Sequence, residues 1–100
     1  MIEQAFEALQ ASYLIGEADG EAWASQARSN QLQSLSLMDA DEVGQRDIFG
    51  NTNAEWLLER AEHYRKRDPD FVPAAYYEGF LASVRRHRRR WAFALAGQRS

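Results

Sequence analysis

The residues most suited to chemistry form a basic run, Arg85-Arg86-His87-Arg88-Arg89-Arg90. At 100° per residue on a helix, Arg85, Arg86, Arg89 and Arg90 fall together on one side. Guanidinium groups in such a row can donate paired hydrogen bonds to phosphate or carboxylate groups. The run therefore has two interpretations. It is either a nucleic-acid-binding stripe or a solvated face whose arginines pair with acidic residues of the same chain.

Acidic residues gather in two clusters that could contact a basic partner. The cluster residues are Glu17, Asp19, Glu21, Asp39, Asp41 and Glu42. Residues 1–58 contain ten acidic and two basic residues, a net charge of −8, whereas residues 59–100 carry a net charge of +5. A negative surface of this kind can imitate a phosphate backbone and occupy a cationic groove on another protein. Helix capping and solubility are the alternative roles for the same residues.

Metal binding and catalysis are poorly supported by the spacing of the polar residues. Residues 39–44 place two acids and a glycine at positions one, three and six of an EF-hand loop. Val43 occupies a ligand position, however, and Gly50 stands where the bidentate glutamate belongs. The sequence contains no phosphate-binding loop, nucleophile elbow or paired-histidine zinc motif. We therefore predict that the protein is not an enzyme and uses no metal or cofactor.

The elements that would position these residues are all helical. Three- and four-residue steps predict an N-terminal helix that buries Ile2, Ala5, Phe6, Leu9 and Tyr13. No segment has the two-residue alternation that is typical of strands.

Glycines and prolines mark the predicted boundaries. Gly16 to Gly20 is interpreted as a connection, with a second helix beginning near Glu21. A capping-box pattern at Asp39 predicts a short helix from Ala40 to about Ile48, and a second one at Thr52 predicts another helix start. The inward residues of that helix are predicted to be Leu57, Leu58, Ala61 and Tyr64, and Asp68-Pro69 is predicted to end it. A last helix is predicted from Pro73 to about Ala96. The prediction is an all-α fold, a compact bundle of four or five helices.

Composition is that of a single small domain. The chain has 100 residues, of which 45% are hydrophobic and 12% aromatic, which is enough for one core. Residues 1–100 are therefore predicted to form one helical domain. The absence of cysteine excludes disulfides and thiolate metal sites. No apolar stretch approaches the roughly 18 residues of a membrane span, and no secretion-signal pattern is present, so we expect a cytoplasmic protein without membrane contact.

The segment 61–79 resembles the junction between two tetratricopeptide repeats. In that family a proline closes one repeat and a glycine follows ten residues later, as Pro69 and Gly79 do here. The positions at which the repeat prefers larger apolar residues are here Ala75, Glu78 and Ala82. The resemblance implies an antiparallel helix pair and a role in protein binding.

By type, the whole chain is similar to the small phage-encoded anti-CRISPR proteins, which combine small size, acidic balance and many helices without catalytic motifs. Several of those proteins block nucleic-acid grooves. The resemblance implies an inhibitor or adaptor whose acidic clusters contact lysines and arginines of a nucleic-acid-binding complex, such as a CRISPR surveillance complex. The alternative is a nucleic-acid-binding accessory protein that uses the arginine stripe. The oligomeric state stays open, and a dimer is one option.

Overall fold

The computed structural model describes the backbone of residues 2–44 and 52–98 and the side chains of residues 5–41, 43 and 56–90. Within these ranges the chain forms five α-helices and no strand. They are α1 (Ile2–Gln26), α2 (Ser29–Ser36), α3 (Ala40–Gly44), α4 (Thr52–Arg67) and α5 (Pro73–Gln98). The predicted all-α bundle is confirmed. The predicted extension of α3 to about residue 48 lies outside the described residues.

Helix α1 is continuous over 25 residues, so the predicted connection at Gly16 to Gly20 and the predicted helix start near Glu21 are wrong. Both glycines are buried within α1. Because glycine has no side chain, Gly16 and Gly20 allow a neighbouring helix to approach closely. The sequence had suggested that they form a turn.

The close approach is between α1 and α5. A β-carbon on Gly16 would overlap the carbonyl oxygen of Tyr76, and one on Gly79 would overlap the carbonyl oxygen of Tyr13. A β-carbon on Gly20 would lie 2.5 Å from the carbonyl oxygen of Phe80. Glycines on both helices therefore let the two backbones touch.

Helices α1 and α5 run in the same direction. The buried Ser12 hydroxyl accepts a hydrogen bond of 2.9 Å from the backbone N–H of Val72, just before α5 begins. Further along both helices, the buried Ser83 hydroxyl donates a hydrogen bond of 2.7 Å to the carbonyl oxygen of Glu17. The two serines satisfy backbone groups and fix the register of the pair.

The remaining helices complete the core around α5. The largest fully buried apolar side chains are Tyr76, Phe80, Leu35, Leu57, Leu81, Val43 and Val84. The ring of Phe80 lies 5.8 Å from that of Trp23 and 5.7 Å from that of Trp56, between centroids. Tyr64 near the end of α4 contacts Tyr76 near the start of α5, with centroids 5.5 Å apart. Because Trp56 precedes Tyr64 while Phe80 follows Tyr76, α4 and α5 form an antiparallel pair.

The first turns of α1 do not reach this core, and the predicted burial of its apolar face is wrong there. Ala5 is exposed, and the side chains of Phe6 and Leu9 are 65% and 45% exposed. Tyr13 is half-buried, and the side chain of Ile2 lies outside the described residues. The apolar spacing is helical, but α5 begins too late to cover these turns.

None of the described helices combines the length and the apolar character that a bilayer crossing requires.

Candidate functional site

The first acidic cluster and the arginine stripe face each other across the α1–α5 contact. Glu17 accepts a hydrogen bond of 2.8 Å from Arg86, and one oxygen of Glu21 lies 3.6 Å from Arg90. Such partly exposed pairs contribute roughly 0–1 kcal/mol each. Their larger effect is on the surface charge that a partner would meet. The carboxylates and guanidinium groups that the sequence offered as partner contacts neutralise one another.

Arg85 is also held within the chain. Its guanidinium donates hydrogen bonds to the carbonyl oxygens of Met38 (2.7 Å) and Ser36 (3.3 Å), and it lies 3.9 Å from the Asp39 carboxylate. These contacts attach α5 to the turn between α2 and α3. Of the four predicted stripe arginines, Arg89 is exposed and has no ion-pair partner among the described residues.

His87 packs at the edge of the same contact. It is half-buried, and its Nδ1 atom lies 4.0 Å from Glu21 Oε1 without a hydrogen-bond partner among the described residues. No three His, Cys, Asp or Glu side chains in the described part of the chain lie close enough together to hold a metal ion.

Asp19, the middle residue of the first cluster, forms a clamp between three helices. The hydroxyls of Tyr64 in α4 and Tyr76 in α5 each donate a hydrogen bond of 2.8 Å to Asp19 Oδ2. The Nε atom of Arg60 lies 3.9 Å from the same oxygen, and the Asp19 side chain is only 22% exposed. Sequence reasoning missed Tyr64, Tyr76 and Arg60 as partners, because they lie more than 40 positions away and follow no local pattern.

The Asp19 clamp changes the acidity of both tyrosines. Burial, together with the hydrogen bond to Asp19 and its negative charge, raises the pKa of Tyr76 well above the ordinary value for tyrosine. The same causes raise the pKa of Tyr64, and the nearby Arg60 guanidinium opposes them. Both hydroxyls therefore stay protonated as donors to Asp19.

A fall in stability at alkaline pH is the expected result. The unfolded chain loses its tyrosine protons near pH 10 while the folded chain keeps that of Tyr76, so the free energy of unfolding decreases above about pH 10. Below that pH the contribution of Tyr76 is fully present. The slope for this residue reaches about 1.4 kcal/mol per pH unit. Urea unfolding followed by circular dichroism between about pH 8 and pH 11 measures it.

The comparison that tests this is Tyr76→Phe against Tyr13→Phe. We expect the first variant to flatten the alkaline slope and the second, which lies outside the Asp19 clamp, to keep it. An unchanged slope in Tyr76→Phe would contradict the assignment.

The second acidic cluster lies on a concave surface between α1, α3 and α5. This surface, called here the acidic groove, has a volume of about 470 Å³ and is lined by Tyr13, Asp39, Ala40, Asp41, Glu78, Leu81, Ala82 and Arg85. The carboxylates of Asp39, Asp41 and Glu78 belong to exposed residues, and the Asp39 side chain is 78% exposed. The side chain of Glu42 lies outside the described residues. Three carboxylates against one arginine leave the groove negative.

Glu78 was not predicted as a site residue. It lies on the last helix, 37 positions after Asp41, and only the packing of α3 against α5 brings both to one groove. An isolated acid on an otherwise apolar and basic helix was the available signal.

A scan against protein-family models and searches of curated proteins and of solved structures returned no match for this chain. Only the arrangement of charges and grooves therefore bears on its function.

Proposed function

We propose that this chain is a non-enzymatic protein-binding inhibitor or adaptor that receives a basic segment of a partner protein in the acidic groove. The observation that supports this proposal is the convergence of the exposed carboxylates of Asp39, Asp41 and Glu78 on one concave surface. Lysine and arginine side chains would donate charge-assisted hydrogen bonds to these carboxylates. Tyr13, which is half-buried, provides aromatic surface for the stem of such a side chain.

The contact surface is narrower than the six acidic residues predicted from the sequence would suggest. Glu17 and Glu21 face Arg86 and Arg90, and Asp19 is occupied by two tyrosine hydroxyls. Binding a partner through these three residues would first require their internal contacts to break. Asp39 lies 3.9 Å from Arg85, but its side chain is 78% exposed, and Asp41 and Glu78 are exposed as well. The proposal therefore keeps Asp39, Asp41 and Glu42 as partner-binding residues and adds Glu78.

The proposed partner is a protein with a basic surface, for example the nucleic-acid-binding groove of a larger complex. The resemblance to anti-CRISPR proteins would make a CRISPR surveillance complex one such partner, and the cytoplasm is the compartment in which the two would meet. The net charge of −3 favours a basic protein over nucleic acid. The alternative, nucleic-acid binding by the stripe of Arg85, Arg86, Arg89 and Arg90, is disfavoured because three of the four already have internal partners.

Charge reversal in the acidic groove tests the proposal. The probe is a fluorescently labelled, flexible peptide of alternating arginine and glycine, and fluorescence anisotropy follows its binding at low and physiological salt. We expect the Asp39→Lys/Asp41→Lys variant to bind at least about tenfold more weakly, because two charge-assisted contacts become repulsive. Added salt should weaken binding by the wild-type chain.

The matched control is Glu59→Lys/Glu62→Lys, which makes the same change in net charge on the exposed surface of α4. It should bind the peptide nearly as well as the wild-type chain. Equal losses in both variants would contradict a local site. Salt-sensitive binding of labelled DNA or RNA that Arg86→Glu/Arg89→Glu abolishes would replace the proposal with the nucleic-acid alternative.

A further inference from the structure

The N-terminal part of α1 carries a second groove, separate from the acidic groove. Residues 5–11 of α1 and the turn at 68–72 form it, and we call it the overhang groove. Its volume is about 730 Å³, and its lining residues are Ala5, Glu7, Ala8, Leu9, Ala11, Asp68, Asp70 and Val72. Phe6, whose side chain is 65% exposed, lies beside it on the same helix turn. The floor is apolar, and the three charged residues in the lining are all acidic.

The overhang groove continues an existing helix interface. Leu9 lies three residues before Ser12 and seven before Gly16, so it shares the side of α1 that packs on α5. Helix α5 covers that side only from Ser12 onward. The backbone N–H of Val72, directly before the start of α5, donates its hydrogen bond to the Ser12 hydroxyl. Beyond that point the same apolar side runs on without a helix opposite it among the described residues. This uncovered apolar side could therefore receive another helix.

Charge decides which helix fits. Glu7, Asp68 and Asp70 are exposed at the rim, and none of the described residues that line the groove is basic. A second copy of this chain docked through the same groove would bring these carboxylates against their own equivalents, which is unfavourable. A helix with lysine or arginine beside its apolar face would neutralise them.

We propose that the overhang groove binds a basic amphipathic helix of a partner protein. Apolar residues at positions i, i+3, i+4 and i+7 would cover Leu9 and the alanines, and flanking cations would contact Glu7 and Asp70. Residues 5–11 of α1 span roughly 10 Å at 1.5 Å per residue, which matches about two turns of the partner helix. This site uses none of the groups of the acidic groove, so each of the two proposals can fail alone.

The test is a titration of the full chain with a labelled helical peptide of about 14 residues. The peptide has leucine at the apolar positions and lysine elsewhere, and a second peptide replaces every lysine with glutamate. We expect the lysine peptide to bind and the glutamate peptide not to bind. Leu9→Ser and Glu7→Lys/Asp70→Lys should each weaken binding about tenfold, because the first removes apolar contact and the second reverses the rim charge.

Two controls separate this site from general attraction to an acidic protein. Leu37→Ser removes a leucine that is 68% exposed elsewhere on the surface, and Glu59→Lys/Glu62→Lys reverses two charges on the exposed surface of α4, outside both grooves. Both should bind the lysine peptide like the wild-type chain. Because Leu9 and Leu37 are exposed, neither serine variant should lose its helical circular dichroism signal.

Equal binding by Leu9→Ser and wild type, or equal loss in the controls, overturns the proposal. A dimer that Leu9→Ser dissociates also overturns it, since a second copy then fills the groove.

Discussion

Replacing Gly16 with alanine is expected to lower the free energy of unfolding by about 2–3 kcal/mol. The new β-carbon would overlap the carbonyl oxygen of Tyr76 and lie 3.0 Å from the backbone nitrogen of Phe80. Both are backbone atoms of α5 and cannot rotate away, so the helices must separate and lose contacts along their interface. Alanine is about 1 kcal/mol better than glycine within a helix, and the expected loss is what remains after that gain.

Urea denaturation followed by circular dichroism measures this loss. Gly79→Ala should behave similarly, because its β-carbon would overlap the carbonyl oxygen of Tyr13. Ala18→Leu is the matched control, since Ala18 is an exposed residue of the same helix and its replacement should leave stability near that of the wild type. A Gly16→Ala protein as stable as the wild type would show that α1 and α5 are not in backbone contact.

Replacing Asp19 with alanine is expected to lower the free energy of unfolding by about 3 kcal/mol. The substitution removes the acceptor of the Tyr64 and Tyr76 hydroxyls, and Tyr76 is fully buried. A hydrogen bond to a charged group contributes about 1.5–3 kcal/mol, and a buried hydroxyl left without a partner adds its own desolvation cost. Asp19→Asn keeps an acceptor oxygen, so its loss should be smaller.

This result also distinguishes a structural from a partner-binding role for Asp19. Asp41→Ala, which removes an exposed carboxylate from the acidic groove, should leave stability unchanged. A double-mutant cycle of Asp19→Ala with Tyr76→Phe should show strongly non-additive losses, since both variants break the same hydrogen bond. Additive losses would contradict the clamp. Unchanged stability in Asp19→Ala would make Asp19 a candidate for contact with a partner protein again.

Much of the helical architecture was predictable from local patterns. Apolar spacing places Leu57 and Ala61 on the inner side of α4, and both are buried. Asp68-Pro69 ends α4 as expected, and Pro73 begins α5. Each of these signals acts within one helical turn, so the neighbouring residues in the sequence are sufficient to predict it.

The failures come from interactions between distant segments. Gly16 and Gly20 have the same local signal whether they form a turn or receive a neighbouring helix, and only α5 decides between the two. Phe6 and Leu9 have correct helical spacing, yet whether they are buried depends on where another helix begins. Periodicity defines a face, and it does not say whether anything covers that face.

The same division holds for the candidate site. Residue types by themselves determined a chain with an acidic first part, a basic arginine run and no thiol chemistry. Only the tertiary structure decided that Glu17 faces Arg86, that Asp19 accepts hydrogen bonds from two tyrosine hydroxyls, and that Asp39 and Asp41 share a groove with Glu78. The physical reason is that a charge is defined by its residue, whereas its availability depends on which groups the fold brings within hydrogen-bonding distance.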